Sequence, residues 1–451
     1  MASPIELKLS KNNEGDVYPS GADITLTHTY NPTPGDGESD VTESIPLFLT
    51  GDKASVLSTV GEINRALFDA KSRSDNNYGD RVYLMARSGT ADPWYRSPII
   101  EGRLSITDDG IIAGLASSVR TNATLTVTRR GYFEAGTATW LQVTNGNGTA
   151  SAAGGYLNVY NCNDETGSSP TKLVNHVYAG SAIVSGDLPT PATVYINNQG
   201  TALSAIYLSA SQSHYQSALP SVYFSDQGGS ADATCSGGSA TITSISTDAE
   251  TQIAAGTITG ADLYQMGGAP YHVIARFADT TSLGNVKFRL KIKNGAGTAT
   301  VWSSGQLSLA NTGNIIQDLG VVNIPAGSPY DVWNCSIYVT AQRTTASTET
   351  IKVDYLAFMG GSFSQIKCIS GTTIAKDDII IFGGANNTLT RWIGGSSTAA
   401  VIDVVPYGAG APILYPGRDN TFVFAAQGTA NAPKNNLLKV RVSYRPRRSS
   451  L

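Results

Sequence analysis

Charge is scarce in this chain. Asp, Glu, Lys and Arg make up 15% of 451 residues, against about 25% in an average soluble domain. The formal net charge is −4, which gives no long-range field for nucleic acid, so no specific nucleic-acid partner is predicted. No run of about 18 apolar residues occurs, so no membrane span is expected. Met1-Ala2-Ser3-Pro4 has no basic stretch leading into an apolar one, so no secretory signal is expected. Only four cysteines are present, Cys162, Cys235, Cys335 and Cys368. They lie far apart without C-x-x-C spacing, so structural thiols are expected in place of a disulfide framework or a metal site. A protein made in the cytosol and later released by lysis has this profile.

Recognisable chemistry is equally scarce. The four histidines, His28, His176, His214 and His272, share no metal-ligand spacing. There is no G-x-S-x-G, P-loop or H-E-x-x-H. Asn163-Asp164-Glu165 could help hold Ca²⁺ but lacks the spacing of a known loop. Glycosidase chemistry needs two facing carboxylates, and acids are sparse in the middle of the chain. The chain is therefore read as no enzyme, with no catalytic, cofactor-binding or metal residues and no cofactor.

Glycine is abundant (47 residues), and Ser, Thr and Asn recur throughout. This is the profile of an all-β protein rich in turns. The length predicts two to four domains. Residues 1–50 carry three alternating segments, at Ile5 to Leu9, Ile24 to Tyr30 and Ile45 to Leu49. A helix is predicted over Asp52 to Arg73, where Val56, Leu57, Val60, Ile63, Leu67 and Phe68 form one apolar stripe and Asp52 is the N-cap. One such stripe lies most simply on a sheet. Strands follow at Arg81 to Met85, Ile99 to Ile106 and Thr124 to Arg130. Asp92 to Pro98 reads as a kinked edge or a packing loop, and Asp108-Asp109-Gly110 as a tight turn.

Residues 131–220 give further strands at Gly155 to Tyr160, Thr193 to Ile196 and Ala205 to Leu208, with a turn at Ser185 to Pro189. They are read as a connecting β region. Residues 221–359 change texture. Val286, Phe288, Leu290 and Ile292 alternate with Lys287, Arg289, Lys291 and Lys293, and further strands run from Val332 to Val339 and from Ile351 to Phe358. Regular strands split by polar loops predict an inserted β-sandwich that folds alone. Short strands return at Ile379 to Phe382, Leu389 to Ile393 and Val401 to Val405.

The chain ends in Tyr415-Pro416-Gly417-Arg418-Asp419-Asn420, the apolar Thr421 to Phe424, a polar stretch Ala425 to Asn436, and Leu438 to Tyr444 followed by Arg445-Pro446-Arg447-Arg448. Leu438, Val440, Val442 and Tyr444 alternate with Lys439, Arg441, Ser443 and Arg445, a strand with one apolar and one basic face. The two segments are expected to form an antiparallel pair, with Leu438 to Tyr444 joining a strand of residues 1–130. A solvated strand face accounts for the basic cluster, a binding patch being the alternative.

This turn-and-strand ending resembles the C-terminus of distal tail and tail tube proteins of long-tailed bacteriophages. Arg129-Arg130-Gly131-Tyr132-Phe133-Glu134 resembles the end of their N-terminal domain, and the helix-on-sheet pattern of residues 1–130 is a third likeness. Val353-Asp354-Tyr355-Leu356 resembles the last strand of jelly-roll carbohydrate-binding modules. The resemblance implies a tail-tube-like β-sandwich or barrel domain built from residues 1–130 and 360–451. It further implies a virion tail location, a ring-forming homo-oligomer (hexameric in the family) and other tail proteins as partners. Trp302, Trp333 and Tyr355 either fill a sandwich core or stack on sugar rings of a cell-surface glycan. The leading reading is a distal ring or tail tube subunit. The alternatives are a receptor- or glycan-binding tail protein, a capsid decoration protein and, last, a polysaccharide-degrading enzyme. The long polar segments Tyr30 to Glu43 and Ala425 to Asn436 are expected to order by lying across a neighbouring copy.

Overall fold

The computed structural model describes residues 6–11, 23–26, 32–76, 81–89, 91–106, 119–146, 148–160, 175–212, 223–232, 235, 239–258, 270–295, 297–309, 315–323, 335–369, 372–395, 404–408, 410–428 and 437–450. The protein is all-β, with antiparallel sheets and one α-helix among these residues. It divides into two compact units: Met1–Thr139 with Ser185–Thr190 and Arg445–Leu451, and Trp140–Val184 with Pro191–Tyr444.

The N-terminal unit is one sheet with the helix on it. Its strands run Glu6–Lys11, Val82–Arg87, Tyr95–Ile106, Val119–Arg130, Asp40–Gly51 and Asp23–Leu26 in spatial order. The helix Lys53–Asn76 starts where the Ser55 amide donates to Asp52 Oδ1 at 2.7 Å. It buries Val56, Thr59, Ile63, Ala66, Leu67 and Ala70 against Ile45, Leu47, Val82, Leu84, Ile99 and Val127. Leu57 and Phe68 were expected in that stripe and are 47% and 67% exposed. Each follows a buried residue, and one step turns a helix by about 100°, which carries them off the sheet side.

Asp92 to Pro98 is no edge. Tyr95–Ile106 is an inner strand, and Pro98 sits opposite Tyr83. On its other side Tyr95 and Arg96 pair with Phe133–Ala135, whereas pairing with Val119–Arg130 begins at Ile99. Pro98 falls in the gap between these two neighbours, where no ladder donor is required.

The second unit is a stack of four sheets. The first contains Leu157–Tyr160, Leu437–Tyr444, Thr190–Asn198, Ile379–Gly383 and Thr388–Trp392 in spatial order. The second contains Val404–Gly408, Ser362–Cys368, Leu203–Ser211, Asn420–Gly428, His176–Ala179 and Thr144–Asn145. Val194, Ile196, Phe382, Val440 and Val442 of the first close on Ile206, Leu208, Ile366, Phe422 and Phe424 of the second. The third sheet holds Ser239–Ile245, Glu349–Gly360, Pro270–Phe277 and Ile316–Asn323, and the fourth Thr251–Ile258, Cys335–Arg343, Val286–Asn294 and Thr300–Ser303. These two enclose a core around Phe277, Phe288, Leu290, Ile337, Val353 and Phe358.

Several expectations are corrected here. Leu437–Tyr444 pairs with Leu157–Tyr160 and Thr190–Asn198, not with residues 1–130. Nor does it pair with Asn420–Gly428, which lies in the facing sheet beside Leu203–Ser211 and His176–Ala179. The two strands share an apolar core across the sandwich rather than a hydrogen-bond ladder. Residues 360–444 therefore complete the unit begun at Trp140, and only Arg445–Leu451 joins the N-terminal unit. Residues 131–220 are not a connector, because their strands supply half of the first sandwich. The basic face of Leu437–Tyr444 is covered: Ser443 is buried, and the Arg441 guanidinium lies 4.3, 4.5 and 4.9 Å from the ring centres of Trp140, Tyr156 and Tyr195.

The sandwich over 221–359 also shares a core with its neighbour. Asn420–Gly428 is buried along its whole length because both of its faces are covered. Phe422, Phe424 and Ala426 point into the first sandwich. Val423 and Ala425 pack with Ala205, Tyr207, Ile274, Tyr355, Ala357 and Met359. Hydrogen bonds reinforce this seam: Tyr207 Oη donates to Ile316 O at 3.1 Å, and the Ile316 amide to Gln427 Oε1 at 2.6 Å. A fragment of residues 221–359 alone is therefore expected to expose an apolar face and self-associate, measured by light scattering and by binding of a hydrophobic dye. A monomeric, dye-silent fragment with a cooperative melt would contradict the shared core.

Candidate functional site

The two stretches at the ends of the chain's strand-rich regions, 129–136 and 445–449, meet in the N-terminal unit. Arg447–Arg448 pairs with Phe133–Ala135, placing Arg447 opposite Glu134 and Arg448 opposite Phe133. Proline follows Arg445 and breaks the long strand there. The chain continues through backbone bonds, with the Ala135 amide donating to Pro446 O at 2.9 Å and the Asp187 amide to Arg447 O at 3.0 Å.

Glu134 is the buried carboxylate of this seam. Arg96 Nε donates to its Oε1 at 3.0 Å, and Arg447 Nε lies 3.7 Å from its Oε2. The Arg447 guanidinium lies 3.7 Å from the ring centre of Tyr132, whose hydroxyl pKa burial pushes up. Arg445 Nη1 donates to Ala135 O at 3.0 Å and also to Gly136 O. Burial, with Arg96 nearby, lowers the Arg445 pKa. Arg448 lies 4.8 Å from the ring centre of Tyr95.

A second buried pair sits beside the first. Arg129 Nε donates to Glu43 Oε1 at 2.8 Å, Nη1 to Arg130 O at 2.9 Å and Nη2 to Thr33 O at 2.7 Å. Burial raises the Glu43 pKa and lowers that of Arg129, so desolvation outweighs their mutual attraction on both sides. Arg129 also holds the polar segment 32–39 in place. The Gly35 amide donates to Ser449 O at 3.0 Å and the Gly37 amide to Gly131 O at 2.9 Å. A Cβ on Gly35 would stand 2.0 Å from Gly131 O, so only glycine permits this approach.

The expectation that this segment needs a neighbouring copy to become ordered is thus corrected for residues 32–43: its own chain orders it. Of the second segment, Ala425–Gly428 belongs to a strand, and 429–436 lie outside the described residues. Deleting Pro32 to Ser39 would break the frame of the unit itself, so it does not isolate an assembly role. Asp36 closes the turn, accepting from the Glu38 and Ser39 amides at 2.9 and 2.7 Å. These bonds, led by that of the Ser39 hydroxyl, lower its pKa from 3.8 to about 2. With the folded pKa depressed, the turn's contribution is whole above the ordinary value and is lost as pH falls through about 2. The amide shifts of Glu38 and Ser39, followed by NMR, should titrate near that lower value; a midpoint at the ordinary carboxylate value would contradict it.

The residues singled out in the sequence are scattered. His28, His214, Cys162, Trp333, Asn163-Asp164-Glu165 and Asp108-Asp109-Gly110 lie outside the described residues. His176 is fully buried, and burial lowers its pKa to about 4. His272 Nδ1 lies 3.0 Å from Asp318 Oδ2, and its ring stacks on Phe363 at 3.9 Å. Cys235, Cys335 and Cys368 are buried thiols, and burial pushes Cys335 up to about 11. Tyr355 is fully buried in the seam between sandwiches, whereas Trp302 is 38% exposed on a sheet edge. Among the described residues no group of three His, Cys, Asp or Glu could hold a metal ion, and no helix is long and apolar enough to cross a membrane. The residues that sequence reasoning missed are the buried partners Glu43, Arg96 and Arg129. The adjacent basic pair Arg129-Arg130 within an apolar strand was the available signal.

No protein-family model matches the chain, and no curated protein matches it. Among solved structures, the SPP1 Dit protein, titled a paradigm of hub adsorption apparatus in Gram-positive infecting phages, aligns over 98% of this chain and 99% of its own at 7% identity and a TM-score of 0.29. The VP2 protein of infectious bursal disease virus aligns over 99% and 78% at 10% identity and a TM-score of 0.18. An exo-β-1,3-galactanase from Phanerochaete chrysosporium aligns over 76% and 86% at 12% identity and a TM-score of 0.18. Superpositions this loose carry no statement about what this chain does.

Proposed function

We propose that this chain is a non-enzymatic structural subunit of a bacteriophage tail, a distal-ring or tube component whose copies close into a ring around a channel. The observation that supports this reading most is the register of Arg447–Arg448 on Phe133–Ala135. The two stretches that carry the resemblance to tail proteins are far apart in sequence and adjacent in space. Their charged side chains form locks between strands: Glu134 faces arginines, and Glu43 faces Arg129. A frame stiffened in this way suits a part that transmits load between identical neighbours, whose head-to-tail contacts generate closed rings. On this reading the ring surface belongs to the N-terminal unit, and other tail proteins stack on it. A glycan-binding role is the second reading, favoured by the solvent-facing outer sheet of the second unit.

The test is the mass of the full-length protein by light scattering across a concentration series. A multiple of the 47.2 kDa chain, six in the family it resembles, is expected. A monomer at every concentration would overturn the ring.

A further inference from the structure

The fourth sheet of the second unit is the last layer of the stack. Its inner face is the core around Phe288, Leu290 and Ile292, and its outer face carries a row of cations. Along Val286–Asn294 buried residues alternate with Lys287, Arg289, Lys291 and Lys293, so the four cations share that outer face. Alternate residues of a strand stand about 7 Å apart. The row is therefore a rigid comb of positive charge about 20 Å long, on a chain whose net charge is −4.

One acid answers this row. Glu250 lies 2.9 Å from Arg289 and pairs also with Lys291. Among the described residues Lys287 and Lys293 have no acidic partner. Lys293 lies 4.1 Å from the ring centre of Tyr338. On one flank Tyr338 is the register partner of Lys291 and Gln342 that of Lys287. On the other, Thr300–Ser303 is an exposed edge strand, with Ser303 opposite Lys291 on the cation face and Trp302 opposite Ile292 on the inner side. The cations are thus bordered by neutral hydrogen-bonding and aromatic side chains.

We infer that this face binds a linear acidic polysaccharide, its carboxylates spaced along the cation row and its sugar rings and hydroxyls meeting the neutral flanks. Charge complementarity selects an anionic polymer over a neutral one. The bordering Tyr338, Gln342 and Ser303 suit sugar rings and hydroxyls, through stacking and hydrogen bonding, better than a bare polyanion. The inference stands apart from the proposed ring, since the face belongs to one copy of the chain.

The experiment measures binding of the full-length protein to hyaluronate, a linear polysaccharide with a carboxylate on alternate sugars, with neutral dextran and polyglutamate as comparison probes. Hyaluronate is expected to bind, more weakly as salt rises, and dextran not to bind. The double variant Lys287→Glu with Lys293→Glu should lose at least about ten-fold in affinity with an unchanged melting profile. Should it fail to fold, Lys287→Gln with Lys293→Gln serves, with a smaller loss in the same direction. Absence of hyaluronate binding, equal binding of dextran, or full affinity in a folded variant would overturn the inference. Polyglutamate binding as tight as hyaluronate would overturn the assignment to a glycan.

Discussion

Arg129→Ala is expected to destabilise the N-terminal unit by about 3–5 kcal/mol, the cost of leaving a buried charge without its partner. Arg129 is fully buried, Glu43 is nearly so, and the two are joined by more than one hydrogen bond. Without the guanidinium, Glu43 would have to ionise unpaired or stay protonated, and Thr33 O would lose its donor. The loop 32–39 would loosen as well, because Arg129 ties it to the sheet. The double variant Arg129→Met with Glu43→Gln should recover most of the loss, because it removes both charges together. Urea unfolding, followed through the transition of this unit, measures both. Equal stability of the single variant and the parent would show that the pair contributes nothing net.

Phe424→Ala is expected to cost about 3–5 kcal/mol in the second unit. Phe424 sits opposite Leu208 in register and fills the core between the first two sheets. The strand that carries it cannot shift to close the cavity, because Val423 and Ala425 are packed on the other side against the third sheet. A site that cannot collapse lies at the costly end of large-to-small substitutions. The measurement is again denaturant unfolding, here of the second unit's transition. A loss below about 1 kcal/mol, the scale of a conservative core change, would mean that the strand relaxes freely and is not clamped between two cores.

These two sites show what the sequence could and could not convey. Val286–Asn294 was legible as a strand, with its inward and outward residues correctly sorted, because one face is wet and the period of two is clean. The helix was legible for the same reason. Leu57 and Phe68 were sorted wrongly because apolar type alone does not say which side of a stripe meets the sheet. Asn420–Gly428 has no period to read, since both faces are buried. Its partners lie more than 200 residues away, and no local pattern names them. Arg129, Arg276 and Arg391 are buried on carboxylates of Glu43, Asp354 and Asp378. A charge in a strand reads as solvent-facing unless its partner is known, which is why the seam of the N-terminal unit stayed hidden. Of the chain-end motifs, Arg447–Arg448 pairs with Phe133–Ala135 in the N-terminal unit, whereas Leu437–Tyr444, expected to join that unit, pairs elsewhere.

The proposed ring is tested most directly by negative-stain images of the purified full-length protein, with class averages taken along the principal view. Closed rings of identical copies around an open centre are expected. Isolated single copies in every field, at a concentration where light scattering also reports a monomer, would contradict it.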